Sequence, residues 1–153
     1  VSLATIRAVE QAEKFYNEEY DIVIQLMPNT PLRTAKDIVQ HFNNFLEKNN
    51  NFQISSFKFG WMNPWWSFRI NENEKHEWMF PESFNKRSQD LPNLYCPTGA
   101  IWISKVNLLK KEKTFYGPNF NFCEIDWKSA VDIDEYNDLD FASTLYNFKN
   151  KLK

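Results

Sequence analysis

Residues 21–59 read DIVIQLMPNTPLRTAKDIVQHFNNFLEKNNNFQISSFKF, and the succession of patterns within them decides the fold class. Residues 21–27 are a run rich in Ile, Val and Leu without strict alternation, which predicts a strand buried in a parallel sheet. Pro28 and Pro31 end it. Thr34 then stands as a helix N-cap with Asp37 three residues on, an acidic variant of the capping box. Ile38, Val39, Phe42, Phe45 and Leu46 stripe the helix that follows, and Asn49, Asn50 and Asn51 stop it. Residues 52–59 read as the next strand. Strand, helix, strand is a βαβ unit, so the expected class is α/β with a parallel sheet.

Outward from this unit the same patterns continue. Leu3, Ile6, Val9, Ala12, Phe15 and Tyr16 recur at helical spacing over residues 3–16. Residues 98–104 and 120–125 read as strands and 104–111 as a short helix. Asp134 is placed to cap a final helix carrying Leu139, Ala142, Leu145, Tyr146 and Leu152. Residues 60–97 break the rhythm. They hold four of the six Trp, several Pro and short alternating stretches, which read as β-hairpins inserted between core elements.

The 153 residues suit one domain. Eighteen basic against 20 acidic residues give a net charge of −2, without the basic stripe of a nucleic-acid-binding module. No apolar run approaches the roughly 20 residues of a membrane span, and neither end carries a signal-peptide pattern. Two cysteines, Cys96 and Cys123, make neither a disulfide framework nor a four-thiolate zinc site, and read as inert reduced thiols in a cytoplasmic protein. With only three Gly there is no GxGxxG and no phosphate loop. No Ser sits in a GxSxG elbow, so a hydrolase triad has no support. His41 and His76 lack partners at metal or triad spacing and read as surface residues. The chain opens on Val1 rather than Met, as a piece of a longer protein would.

Four constellations carry possible chemistry. Asp132 and Asp134 flank Ile133 at a helix start, and carboxylates two apart on extended chain point the same way. Such a pair suits a hard cation such as Mg²⁺. Equally, Asp134 caps the helix and Asp132 is solvated. Residues 26–34 run from a strand through a Pro-stiffened loop to a helix N-terminus, the place where open α/β sheets bind ligands. Asn29 and Thr30 offer hydrogen bonds there and Arg33 a fork for an anion, or the segment is a rigid turn with Arg33 in a structural ion pair. Lys86 and Arg87, with Ser88, Gln89, Tyr95 and Thr98 following, meet an anionic ligand or form a solvated loop. Trp65 and Trp66 read as a dimer interface ahead of a sugar platform.

Taken in order, these segments resemble one family. LMPNTPLRT at 26–34 resembles its LQPTSPLRT, QDLPNLYCPTGAIWI at 89–103 its RRQDLPxxYxxNGAIYI, and VDIDEYNDLDFA at 131–142 its SIDIDTEEDLxxAE. Phe115 and Tyr116 stand where it has an aromatic pair. The family is the acylneuraminate cytidylyltransferases, or CMP-sialic acid synthetases, with their pseudaminic- and legionaminic-acid relatives. The resemblance covers roughly residues 20–148.

It implies a Rossmann-like nucleotide-diphospho-sugar transferase fold, incomplete at the N-terminus. Residues 1–153 would be one α/β nucleotidyltransferase domain, the C-terminal portion, with an inserted β-hairpin dimerisation region at about 60–97. It implies transfer of CMP from CTP to the anomeric hydroxyl of a nonulosonic acid, a nine-carbon keto sugar, with release of pyrophosphate. Mg²⁺ would be held by Asp132 and Asp134. Substrate contacts would fall on Asn29, Thr30, Arg33, Arg87, Gln89, Thr98, Trp102, Phe115 and Tyr116. The protein would be a cytoplasmic homodimer with no nucleic-acid or membrane partner. Where the family has Gln, Arg, Asn and Tyr, this chain has Met27, Ser88, Thr98 and Trp102, which points away from a standard sialic acid. The family's opening strand and its Arg/Gly/Ser/Lys-rich loop for CTP have no counterpart here, so these residues alone are expected to be inactive. The alternative is a non-catalytic, dimeric sugar-binding remnant.

Overall fold

A computed structural model describes residues 1–151. The elements in chain order are α1 (Ser2–Tyr16), β1 (Ile22–Gln25), α2 (Ala35–Glu47), β2 (Phe52–Lys58), β3 (Phe68–Ile70), β4 (His76–Trp78), β5 (Tyr95–Lys105), α3 (Val106–Glu112), β6 (Phe120–Glu124) and α4 (Tyr136–Lys151), with three short 3₁₀ turns between β2 and β5. Leu152, assigned from sequence to the last helix, lies outside the described residues. No helix among the described residues is long and apolar enough to cross a membrane.

The chain divides into two compact units, residues 1–57 with residue 97 onward, and Lys58–Cys96. The larger unit is built on a four-stranded sheet of order β1-β5-β2-β6. β2 and β6 pair in parallel, Phe52 opposite Phe120. β1 pairs antiparallel with β5, Ile22 opposite Lys105 and Gln25 opposite Trp102. This corrects the expectation of a buried parallel strand at 21–27. β1 is half-buried, stands at the end of the sheet, and is separated from β2 by β5. An aliphatic run signals a strand with apolar faces, but carries no information on the direction of its neighbour. Along β1 an open groove of about 690 Å³ is lined by Ala4, Ala8, Ala12, Ile22, Ile24 and Met27, among others.

The pleat sends alternate side chains to opposite faces. Ile22 and Ile24 join Ile101, Ile103, Phe45, Ile38 and Phe42 in one core, which packs α2 on the sheet. Val23 and Trp102 join Ile6, Phe52, Ile54, Leu109 and Phe115 in a second core, which packs α1 and α3. Gly117 meets Phe52 so closely that a Cβ there would overlap the ring. Two buried polar side chains of β2 are paired. Ser55 Oγ donates to Thr98 O at 3.1 Å and accepts from Ile101 N at 2.9 Å. Gln53 Nε2 donates to His41 O at 2.8 Å.

α2 begins as its sequence predicts. Asp37 N donates to Thr34 Oγ1 at 3.3 Å and Thr34 N to Asp37 Oδ2 at 2.8 Å, closing the capping box. His41, expected at the surface, is only 1% exposed. Its Nδ1 lies 2.8 Å from Asp37 O and its Nε2 3.3 Å from Cys123 O, so the ring bridges α2 to β6. Cys123 is itself buried, and burial pushes its thiol up, in keeping with an inert residue. Two of the helical stripes are only partly used. In α1, Ile6 and Val9 are buried while Leu3, Phe15 and Tyr16 are exposed. Ala142 of α4 is buried while Leu139 and Tyr146 are exposed.

The smaller unit holds the β3–β4 hairpin, Phe68 opposite Trp78, braced by Arg69 Nε on Glu77 Oε2 at 2.7 Å. Edge-on rings knit it: Trp65 on Phe80 at 5.1 Å and Trp78 on Phe84 at 4.2 Å. Trp65 also donates from Nε1 to Pro92 O at 2.9 Å. The Trp pair therefore splits, Trp65 packing inside the unit and Trp66 standing partly exposed.

Candidate active site

Three loop segments of the larger unit meet at one end of the strands, beyond the C-termini of β1 and β6. The first follows β1. Pro28 and Pro31 each open a tight turn, since a ring-locked φ suits the first corner of a turn. The loop is fastened from inside: Thr30 Oγ1 donates to Met27 O at 2.9 Å, and Arg33 Nη1 lies within hydrogen-bond distance of Met27 O (3.1 Å), Thr30 Oγ1 (2.9 Å) and Ala100 O (2.7 Å). Burial draws the Arg33 guanidinium below its ordinary value, opposed by the nearby charge of Asp37.

The second segment is the start of β5, where Met27 N donates to Gly99 O at 3.4 Å. Thr98 is buried. Its Oγ1 accepts from Ala100 N at 3.3 Å and lies 3.4 Å from Ala130 O. The third segment follows β6. Ile133 N donates to Asn29 O at 2.9 Å, and Asn29 Nδ2 donates to Asp134 Oδ1 at 3.2 Å. Asp132 and Asp134 are both exposed on irregular chain rather than on a strand.

Asp134 is not the helix cap. Asp138 reaches back from the first turn of α4, and its Oδ2 accepts from the N–H groups of Asp134 (3.0 Å) and Glu135 (2.9 Å). An acid three residues past Glu135 is the capping-box spacing, a signal present in the sequence. The Asp134 carboxylate is thereby left to Asn29. Among the described residues neither Asp132 nor Asp134 forms an ion pair, and no group of three or more acidic, His or Cys side chains is gathered as a metal cluster.

The fold thus brings together Asn29, Thr30, Arg33, Thr98 and Asp134. In this group the polar atoms of Thr30 and Thr98 and Nη1 of Arg33 are spent on internal partners. The aromatic candidates form a second group, joined to the first by Trp102 Nε1, which donates to Thr98 O at 2.8 Å. Trp102 meets Phe115 edge-on at 5.3 Å and Tyr116 at 5.8 Å. Phe115 is 0% exposed and belongs to the second core, so only Tyr116 of that pair presents an open ring. Phe120, 5.5 Å from Tyr116, and Phe122 extend the exposed aromatic row along β6. Their i, i+2 spacing on a strand was the available signal. Arg87 and Gln89 belong to the smaller unit. Arg87 is held by Asp90 at 2.8 and 3.2 Å, and Gln89 Oε1 accepts from Ser88 Oγ at 3.4 Å.

No family model matches the chain. It is 26% identical over 151 residues to a pseudaminic acid cytidylyltransferase of Campylobacter jejuni, covering 98% of this chain and 64% of that protein. It is also 26% identical over 144 residues to the post-translational flagellin modification protein B of Campylobacter coli, covering 94% and 60%. The chain therefore spans about 64% of the length of the first of these relatives. Among solved structures it is similar to a CMP:2-keto-3-deoxy-manno-octonic acid synthetase complexed with CTP, at a TM-score of 0.60 and 12% identity, covering 95% of this chain and 68% of that one. A 4-diphosphocytidyl-2C-methyl-D-erythritol synthase from Anaerococcus prevotii matches at a TM-score of 0.55 and 11% identity, over 90% and 64%. The two structures establish a mixed α/β sheet fold of the nucleotide-diphospho-sugar transferase kind. The curated sequences support the resemblance drawn from the three motifs: over most of its length this chain is similar to pseudaminic acid cytidylyltransferases.

Proposed function

We propose that this chain is the metal- and sugar-binding part of a cytidylyltransferase that joins CMP, from CTP, to the anomeric hydroxyl of a sialic-acid-like nine-carbon keto sugar. In that reaction the sugar hydroxyl loses its proton to solvent as its oxygen attacks the α-phosphorus, the bond to the β-phosphate oxygen breaks, and pyrophosphate leaves. The observation that carries the reading is the joining of the loops after β1 and β6 through Asn29 and Asp134. These loops carry two of the three motifs and lie beyond the C-terminal ends of β1 and β6, the kind of place where α/β sheets bind ligands.

Asp132 and Asp134 fit Mg²⁺ by donor chemistry. They are hard oxygen ligands without a basic partner among the described residues, and Mg²⁺ commonly takes one or two carboxylates and completes its shell with water and phosphate oxygens. When bound, the ion neutralises charge on the phosphates and acidifies the attacking hydroxyl. The chain's own part is positional, as in phosphoryl transfer generally. Arg33 and Thr30 stiffen the loop that faces Asp134. Tyr116 offers an open ring to the sugar, and Trp102, its indole N–H already committed to Thr98 O, supplies an apolar wall beside it. Met27 and Thr98, where the family motif has Gln and Asn, leave fewer polar contacts for the sugar. A homodimer formed through the smaller unit belongs to the same proposal.

Pyrophosphate release tests the reading, with CTP, Mg²⁺ and a panel of nonulosonic acids, run on this chain and on any longer natural protein that carries it. Release that requires both CTP and one of the acids is the expected result for the longer protein, with negligible release from this chain alone. No release from either form with any acid would overturn it.

A further inference from the structure

We infer that Asn29 is a positioning residue for Asp134, holding one carboxylate oxygen in place so that the other stays available to a divalent cation. The inference rests on the metal reading proposed above. Asp134 lies on irregular, exposed chain, where a free side chain samples several rotamers and must be ordered on binding. Two contacts remove that freedom. Asp138 Oδ2 accepts the Asp134 N–H at 3.0 Å and fixes the backbone. Asn29 Nδ2 donates to Oδ1 at 3.2 Å and fixes the side chain. Among the described residues, Oδ2 has no protein hydrogen bond.

Asn29 is itself presented from a stiff base. Its loop is locked by Pro28, Pro31 and the Arg33 contacts, and its own carbonyl accepts Ile133 N at 2.9 Å. The chemistry of the donor matters as much as its rigidity. A Lys or Arg in this place would neutralise the carboxylate and compete with the cation. A neutral amide orients the carboxylate and leaves its charge intact. This is the usual division of labour between a metal ligand and the partner that orients it. The related motif has Thr at this position, so the amide is a feature of this chain.

A simple staple between two loops makes a different prediction from a positioning residue. Removing a staple lowers the melting temperature and leaves cation affinity unchanged. The test is a titration of the 153-residue chain with Mn²⁺ in place of Mg²⁺, free Mn²⁺ being read by electron paramagnetic resonance, with thermal melts alongside. Wild type is expected to bind, and Asp134→Asn to lose binding. Asn29→Ala and Asn29→Thr are expected to bind about tenfold more weakly, the lower end of the range for such partners. Both retain the backbone bond to Ile133, and Asn29→Thr carries the residue of the related motif, so a folded variant is in hand if the alanine fails. Binding lost in Asp134→Asn but unchanged in the folded Asn29 variants overturns the positioning role and leaves the metal reading standing. Wild type and Asp134→Asn binding alike, or neither binding, overturns the metal reading and the inference with it.

Discussion

Arg33 donates from Nη1 to the main-chain oxygen of Ala100 at 2.7 Å, across 67 positions of sequence. The same nitrogen also lies within reach of Met27 O and Thr30 Oγ1, so one guanidinium arm ties the loop after β1 to β5. Arg33→Lys puts a single flexible ammonium in place of a planar fork and leaves carbonyl oxygens short of a donor. Hydrogen bonds to charged groups contribute about 1.5–3 kcal/mol. At about 2–4 °C per kcal/mol for a chain of this size, a melting-temperature drop of about 3–12 °C is expected. An unchanged melt with weakened CTP or sugar binding would instead return Arg33 to direct ligand contact.

The βαβ reading of residues 21–59 was legible where the determinants are local. The Thr34–Asp37 capping box and the strand at 52–58 depend on neighbours a few residues away. The partner of β1 was not legible, because pairing with β5 joins residues some 80 positions apart and an aliphatic run is silent on direction. His41 shows a signal present but passed over. It falls three residues after Ile38 and four before Phe45, on the buried side of α2, yet a His among Asn residues reads as polar surface. The site divides the same way. Its motifs stood in the sequence, whereas the bond between Asn29 and Asp134 spans 105 positions and exists only once both loops reach the same end of the strands.

Gly117 carries no side chain because Phe52 occupies the space. A Cβ there would overlap the Phe52 ring, which is 1% exposed and fixed in the second core. Gly117→Ala is expected to destabilise by about 1–3 kcal/mol, the usual cost of overpacking. Gly60 is the control, since nothing lies within 4 Å of a Cβ built on it. Gly60→Ala is expected to be neutral or to stabilise by about 0.4–1 kcal/mol through the unfolded chain. Urea melts of the two variants check both, and equal midpoints would show that the core gives way around residue 117.

The smaller unit exposes Trp61 (87%), Met62 (67%) and Ile70 (63%) in addition to Trp78 and Phe84. That is a large apolar surface for 39 residues, Lys58–Cys96, and surfaces of this kind mark interaction sites. A two-fold dimer is expected, since closed two-fold symmetry is the commonest way for identical chains to cover such a surface. Trp61→Ser combined with Met62→Ser is expected to shift sedimentation toward the monomer. A monomeric wild type at about tens of micromolar would reject the dimer.

Asp37 makes the stability of the larger unit depend on pH. Burial raises its carboxyl, but hydrogen bonds from the Thr34 side chain and backbone and from Ser129, with the charge of His41, outweigh burial and hold it below its ordinary value. A carboxyl that binds its proton less tightly when folded stabilises the fold while ionised. That contribution is complete above the unfolded-state value of about 3.9 and is lost as pH falls through the lower folded-state value. Asp37→Asn removes the titration while keeping an oxygen that can accept from Thr34 N. The wild type is therefore expected to melt above the variant at pH 6, with the gap narrowing steadily below about pH 4. Melting temperatures of both proteins between about pH 2 and 7 check it, and a gap that stays constant to the lowest pH would show that the capping box, rather than the charge, sets the difference.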